Sequence, residues 1–160
     1  MPLVGIIAKK RDIQAIKKEL AEYEVEIIHL NKESLKNMKN IIFKDLIILE
    51  DINLQEAEYS YMEEIISKAE YLILNSDIDF RVLKYIKLKK PIKTITFGFN
   101  PKSTITISSV KEDKILVCLQ RNIENGDKEI IETQEKEIEI TDTELSLTPK
   151  QEKVFQEVHD

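Results

Sequence analysis

Two short polar motifs close apolar runs in the middle of the chain. Leu74-Asn75-Ser76-Asp77 ends the run Tyr71–Leu74, and Thr96-Phe97-Gly98 ends the run Lys93–Phe97. An apolar strand, a polar end, a short helix and a second strand form the pattern of a nucleotide-handling α/β domain. Ligands of open α/β sheets sit beyond the carboxyl ends of the strands, where all three of these polar positions fall. Asn75, Asp77 and Gly98 are therefore the candidate ligand-binding residues. Structural uses compete: Asp77 is placed to cap a helix beginning near Phe80, and Asn75 to bridge a tight turn.

Other reactive groups are sparse. A nucleophilic Cys118 needs a histidine base, and only His29 and His159 are available. The single cysteine lies in the apolar run Ile115–Leu119 and reads as a small buried hydrophobe. It excludes an internal disulfide and a multi-cysteine zinc site. His29 ends a strand and reads as a half-buried residue. G-x-S-x-G and H-E-x-x-H are both absent. With 30 Asp and Glu residues in the chain, pairs such as Glu50-Asp51 and Glu63-Glu64 carry little information. No catalytic residue, metal ligand or cofactor is assigned, and the chain reads as a non-enzyme.

The elements that must position these residues alternate. Leu3–Ala8 is a β-branched run suited to a strand covered on both faces. Asp12 offers a helix cap, followed by Ile13, Ile16, Leu20 and Tyr23 at helical spacing. Val25–Leu30 is a second strand. A weak helix with Asn31 as cap puts Leu35, Met38 and Ile42 on one side. Asp45–Glu50 is a third strand, and Tyr59, Met62, Ile65, Ile66 and Ala69 mark the next helix. Tyr71–Leu74, the turn or two of helix at Phe80–Ile86, and Lys93–Phe97 complete the series. This alternation predicts a Rossmann-like α/β fold over residues 1–100, a mainly parallel five-stranded sheet flanked by helices. Residues 101–140 (Ser103–Val110, Ile115–Arg121 and Glu129–Ile140, with turns at Lys111–Lys114 and Asn125-Gly126) are expected as an antiparallel β extension of the same domain. Residues 141–160 form a tail whose Thr148-Pro149-Lys150-Gln151 starts a short helix.

From Tyr71 to about Arg121 the chain resembles the last part of the central, ATP-binding domain of Mur ligases. The family carries a strand ending in Asn-x-Asp, a helix, and a strand ending in Thr-(Phe/Tyr)-Gly. An antiparallel segment follows. Here these are Asn75-Ser76-Asp77, Thr96-Phe97-Gly98, and Ser103–Val110 with Ile115–Arg121. The resemblance implies that Asp77 lies near a nucleotide ribose, with Asn75 beside it. It also implies a Gly-rich loop ending in Gly-Lys-Thr or Gly-Lys-Ser, which this chain lacks. Its three glycines are Gly5, Gly98 and Gly126, and Lys9-Lys10-Arg11-Asp12 follows the first strand. Side-chain bulk there replaces the close backbone approach that phosphates require. The family's metal-binding Glu and His have no counterpart, so ligase activity by the family mechanism is not expected.

The expected role is binding without catalysis: a protein partner, a second copy of the chain or a small ligand at the carboxyl edge of the sheet. One alternative is a degenerate receiver-like signalling domain with Asp51 near the phosphoacceptor position and Lys93 before the fifth strand. A receiver also needs an acidic pair after the first strand to hold Mg²⁺, where this chain has Lys9-Lys10. The other alternative is a weak nucleotide-binding enzyme fragment. A net charge of −6 argues against nucleic acid and anionic membranes as partners. The clusters at Lys9–Arg11 and Lys87–Lys90 read as solvated. No apolar run approaches a membrane span, and Met1–Ala8 has no signal-peptide layout, so a cytoplasmic location is expected.

Overall fold

The computed structural model describes residues 1–88, 91–110, 114–124 and 128–139, and the chain divides into two units, Met1–Thr94 and Ile95–Asp160. The fold is mixed α/β.

In the first unit the apolar runs become short strands and the helical periods become the connections between them. In chain order these are β1 (Leu3–Ile7), α1 (Lys10–Glu19), β2 (Glu26–His29), α2 (Leu35–Met38), β3 (Asp45–Ile48), α3 (Glu56–Lys68), β4 (Tyr71–Asn75) and α4 (Arg81–Tyr85). The strands lie in the order β2-β1-β3-β4, every neighbour parallel. The chain steps from β1 outward to β2, then back past β1 to β3 and β4. Right-handed crossovers in opposite directions put their helices on opposite faces.

Strand alternation divides the core accordingly. Ile7, Leu46, Ile48, Leu72 and Leu74 pack with Leu35, Met62, Ile65, Ile66 and Val82, which come from α2, α3 and α4. Val4, Ile6 and Ala8 pack on the other face with Ile13 and Ile16 of α1. Gly5 faces the larger core. A Cβ there would lie 3.0 Å from Leu30 Cδ1, 3.0 Å from Leu46 Cδ1 and 3.1 Å from Phe43 Cδ1. The missing side chain lets these three buried residues close over β1.

Helix ends correct four sequence expectations. Lys9, not Asp12, precedes α1, and Asp12 sits in the first turn, where its charge suits the positive end of the helix. The helix stops at Glu19, so Tyr23 escapes the helical spacing and is 66% exposed. Likewise α2 ends at Met38; Ile42 is 67% exposed and Phe43 takes the core position. Nor does Asn31 cap α2: Ser34 precedes that helix, and Asn31 is tied to Ser34 in the turn before, its Oδ1 accepting from Ser34 N at 2.9 Å and Ser34 Oγ accepting from Asn31 N at 3.0 Å.

The second unit contains most of β5 (Lys93–Gly98), then β6 (Ile105–Val110), β7 (Lys114–Leu119), β8 (Ile123–Glu124), β9 (Ile130–Ile131) and β10 (Gln134–Glu139). β7 pairs antiparallel with both β6 and β10, and β8 pairs antiparallel with β9. β6, however, runs parallel to β5, with Phe97 opposite Ile105 and Gly98 opposite Thr106. Parallel neighbours ordinarily need a crossover of about a dozen residues, whereas only residues 99–104 separate these two. Of the expected turn Lys111–Lys114 only Lys114 is described, and it opens β7; the turn at Asn125-Gly126 and the tail 141–160 with its helix start lie outside the described residues.

Side-chain hydrogen bonds hold the short connection. Thr104 N donates to Thr96 Oγ1 at 2.9 Å, and Thr96 N donates to Thr104 Oγ1 at 3.2 Å. Asn100 Oδ1 accepts from Lys102 N at 3.0 Å. From the end of β7, Gln120 Nε2 donates to the carbonyls of Pro101 and Ser103, both at 2.8 Å. Arg121 donates to Lys102 O at 2.6 Å.

Candidate functional site

Because the first unit reverses its strand order at β1, the carboxyl ends of β1 and β3 flank a topological switch point, and β4 ends alongside β3. Three short segments therefore border this edge: Ala8-Lys9-Lys10, Leu49-Glu50-Asp51 and Asn75-Ser76-Asp77.

Asn75 closes β4 and is buried. Its Oδ1 accepts from Asp77 N at 3.0 Å, and its carbonyl accepts from Ile78 N at 3.3 Å. This is the tight turn that the sequence allows for Asn75, and it brings Asn75 and Asp77 together. Asp77 is half-buried. The backbone amide that opens α4 is taken from elsewhere: Asp51 Oδ1 accepts from Arg81 N at 3.1 Å. The other carboxylate oxygen of Asp51 accepts from Arg81 Nε at 2.7 Å. Hydrogen bonding and charge from Asp51 raise the Arg81 pKa above its ordinary value. Along the same short helix, Asp79 hydrogen-bonds Lys84 Nζ at 3.0 Å and raises its pKa in the same way. Tyr85 stacks in a tilted geometry on Tyr59 of α3, ring centroids 5.6 Å apart.

Lys9 and Lys10 are exposed at the start of α1, and Arg11 lies 4.0 Å from Asp12. Gly98, the third candidate, belongs to the second unit. It is buried at the end of β5 with φ 146°, a backbone region that side chains other than glycine rarely enter. Beyond it, Lys102-Ser103-Thr104 carries the letters that end a phosphate loop without the glycine. Its amides point inward: those of Lys102, Ser103 and Thr104 donate to Asn100 Oδ1, Asn100 O and Thr96 Oγ1.

Among the described residues, the other reactive groups sit apart from any constellation. His29 is exposed, not half-buried, because β2 lies at the margin of the parallel strands. Cys118 is half-buried, with its Sγ 3.4 Å from Ser108 Oγ. Among the described residues, no three His, Cys, Asp or Glu side chains gather as they would around a metal ion. No helix among them is long and apolar enough to cross a membrane.

Sequence reasoning missed the Asp51–Arg81 clamp. Its partners are thirty residues apart, and only the β3–β4 adjacency joins them. It also missed the Thr96–Thr104 and Gln120 contacts, because hydroxyl and amide side chains carry no periodic signal. Comparison with known proteins finds no match among protein-family models, curated proteins or solved structures.

Proposed function

We propose that this chain is a Mur-ligase-like, Rossmann-like α/β domain that acts by binding and not by turnover. Its partner, a small ligand or a protein, sits at the carboxyl ends of the parallel strands. Asn75 and Asp77 are the proposed contacts in the first unit; Gly98, in the second unit, is a separate candidate considered by itself. One observation carries this reading: the order β2-β1-β3-β4 creates a switch point whose carboxyl edge holds the fixed Asn75–Asp77 turn. The groups at that edge favour binding over phosphoryl chemistry. Lysine side chains stand after β1 where a triphosphate needs glycine amides.

Chemical-shift mapping with a fragment library on uniformly ¹⁵N-labelled protein tests the reading. Fragments that bind are expected to move the amides of residues 75–79. A library whose binders all map elsewhere overturns it.

The strand order and the position of Asp51, three residues past β3, also favour a degenerate receiver. In that reading Asp51 would accept a phosphoryl group, yet both of its oxygens are held by Arg81. Beryllofluoride with Mg²⁺, a phosphoaspartate mimic, separates the two: a shift at Asp51 supports the receiver, and no response rejects it.

A further inference from the structure

We propose that Arg81 and the Tyr59–Tyr85 pair form an oxyanion site, recognising a small ligand that joins a phosphate or carboxylate group to a flat apolar body. The inference rests on the carboxyl-edge reading above and gives that edge a ligand chemistry.

The guanidinium is held in place. Asp51 accepts from the Arg81 backbone amide and from Nε, so one carboxylate fixes both ends of the same residue. Asp51 engages Nε alone; the two terminal nitrogens are left for another acceptor, and the side chain is 56% exposed. A planar guanidinium already held through Nε loses less rotamer freedom when it meets a second anion, and its terminal nitrogens suit the two oxygens of a carboxylate or phosphate. Asp51 thus serves as a positioning residue.

The apolar half of the site lies on the same helix. Arg81 and Tyr85 are four residues apart and share one face of α4. Tyr85 is 67% exposed, an unusual cost for a large ring, and it is steadied by Tyr59 beneath it. A fixed cation beside a steadied exposed ring accommodates an anion and a ring carried by one molecule.

The probes are phenyl phosphate, benzoate and inorganic phosphate, titrated into the full chain while the Arg81 Nε–H resonance is followed by NMR. Phenyl phosphate or benzoate is expected to shift this resonance saturably, the stronger of the two naming the anion. Inorganic phosphate should bind more weakly than phenyl phosphate. R81K keeps the backbone bond to Asp51 and hence the fold, and it should weaken the amide response to phenyl phosphate roughly tenfold through loss of the fork. Y85A should erase the advantage of phenyl phosphate over inorganic phosphate. D51N should weaken binding while leaving the melting temperature of the chain within a few degrees.

Non-saturable shifts, shifts matched by chloride, or equal binding by R81K would each overturn the proposal. If fragments map to residues 75–79 while Arg81 stays silent, the anion site falls and the carboxyl-edge reading stands. If neither responds, both fall.

Discussion

Gly5→Ala is the sharpest perturbation of the first unit, because the structure fixes where the new methyl must go. It would meet three side-chain tips at 3.0, 3.0 and 3.1 Å. Carbon atoms prefer about 3.5–4.0 Å, so each tip has to retreat by roughly half an ångström. Leu30, Leu46 and Phe43 are 1%, 0% and 0% exposed, so there is no solvent to retreat into. Overfilling a packed core costs about 1–3 kcal/mol. Replacing glycine also stiffens the unfolded chain, which offsets about 0.4–1 kcal/mol. The expected net loss is about 0.5–2.5 kcal/mol, or roughly 1–10 °C in Tm for a chain of this size. Urea denaturation followed by far-UV circular dichroism measures it, with the slope m unchanged. A cycle with Leu46→Val identifies the cause: trimming one of the crowded tips should make the double variant more stable than the sum of the singles, by about 0.5 kcal/mol or more. A neutral or stabilising Gly5→Ala, or strict additivity with Leu46→Val, would refute the crowding argument.

The remaining predictions concern backbone strain, burial and the loop clamp. Gly98→Ala places a side chain at φ 146° and should destabilise the chain by about 1–3 kcal/mol, measured as a drop in urea midpoint; an unchanged midpoint would contradict the strain. Burial raises the Asp45 pKa above its ordinary 3.8, against a smaller lowering by Lys44. The folded state therefore holds the proton more tightly, and Asp45 favours folding below about pH 3.8 and loses that contribution as pH rises through the raised native value. Asp45→Asn should accordingly raise Tm at pH 7, with the difference closing below pH 4; a lower Tm at pH 7 would reverse the sign. Gln120→Ala removes two hydrogen bonds to the 99–104 connection and should cost about 1–3 kcal/mol. Hydrogen exchange should then accelerate at Ser103 and Thr104, and unchanged exchange would show that the clamp does not hold the loop.

The parts of this fold that were legible in the sequence are those with a period or a run. Leu3–Ile7, Asp45–Ile48 and Tyr71–Asn75 stand out as unbroken apolar strands because both faces are covered. Met62, Ile65 and Ile66 mark α3 for the same reason, and all three are fully buried. Helix ends were less legible: nothing local distinguishes Ile42 from Phe43, and the early stop of α2 alone exchanges their places. The parallel pairing of β6 was hidden too. Six residues are too few for an ordinary parallel crossover, and the group that holds their carbonyls, Gln120 from the far end of β7, carries no periodic signal. At the candidate site, the Asn75–Asp77 turn is local and could be anticipated. The Asp51–Arg81 clamp depends on strand order, which one sequence does not encode in any short-range pattern.

The central claim is that the carboxyl edge of these strands binds without holding a triphosphate. Differential scanning calorimetry with ATP and Mg²⁺ tests it most directly, since any ligand that binds only the folded state must stabilise it, by about 2.7 kcal/mol at a hundred times its dissociation constant. At a nucleotide concentration of about 1 mM, the account predicts a melting temperature unchanged from that with Mg²⁺ alone. A rise of several degrees with ATP, absent with Mg²⁺ alone and removed by changing Lys9 and Lys10 to alanine, would contradict it.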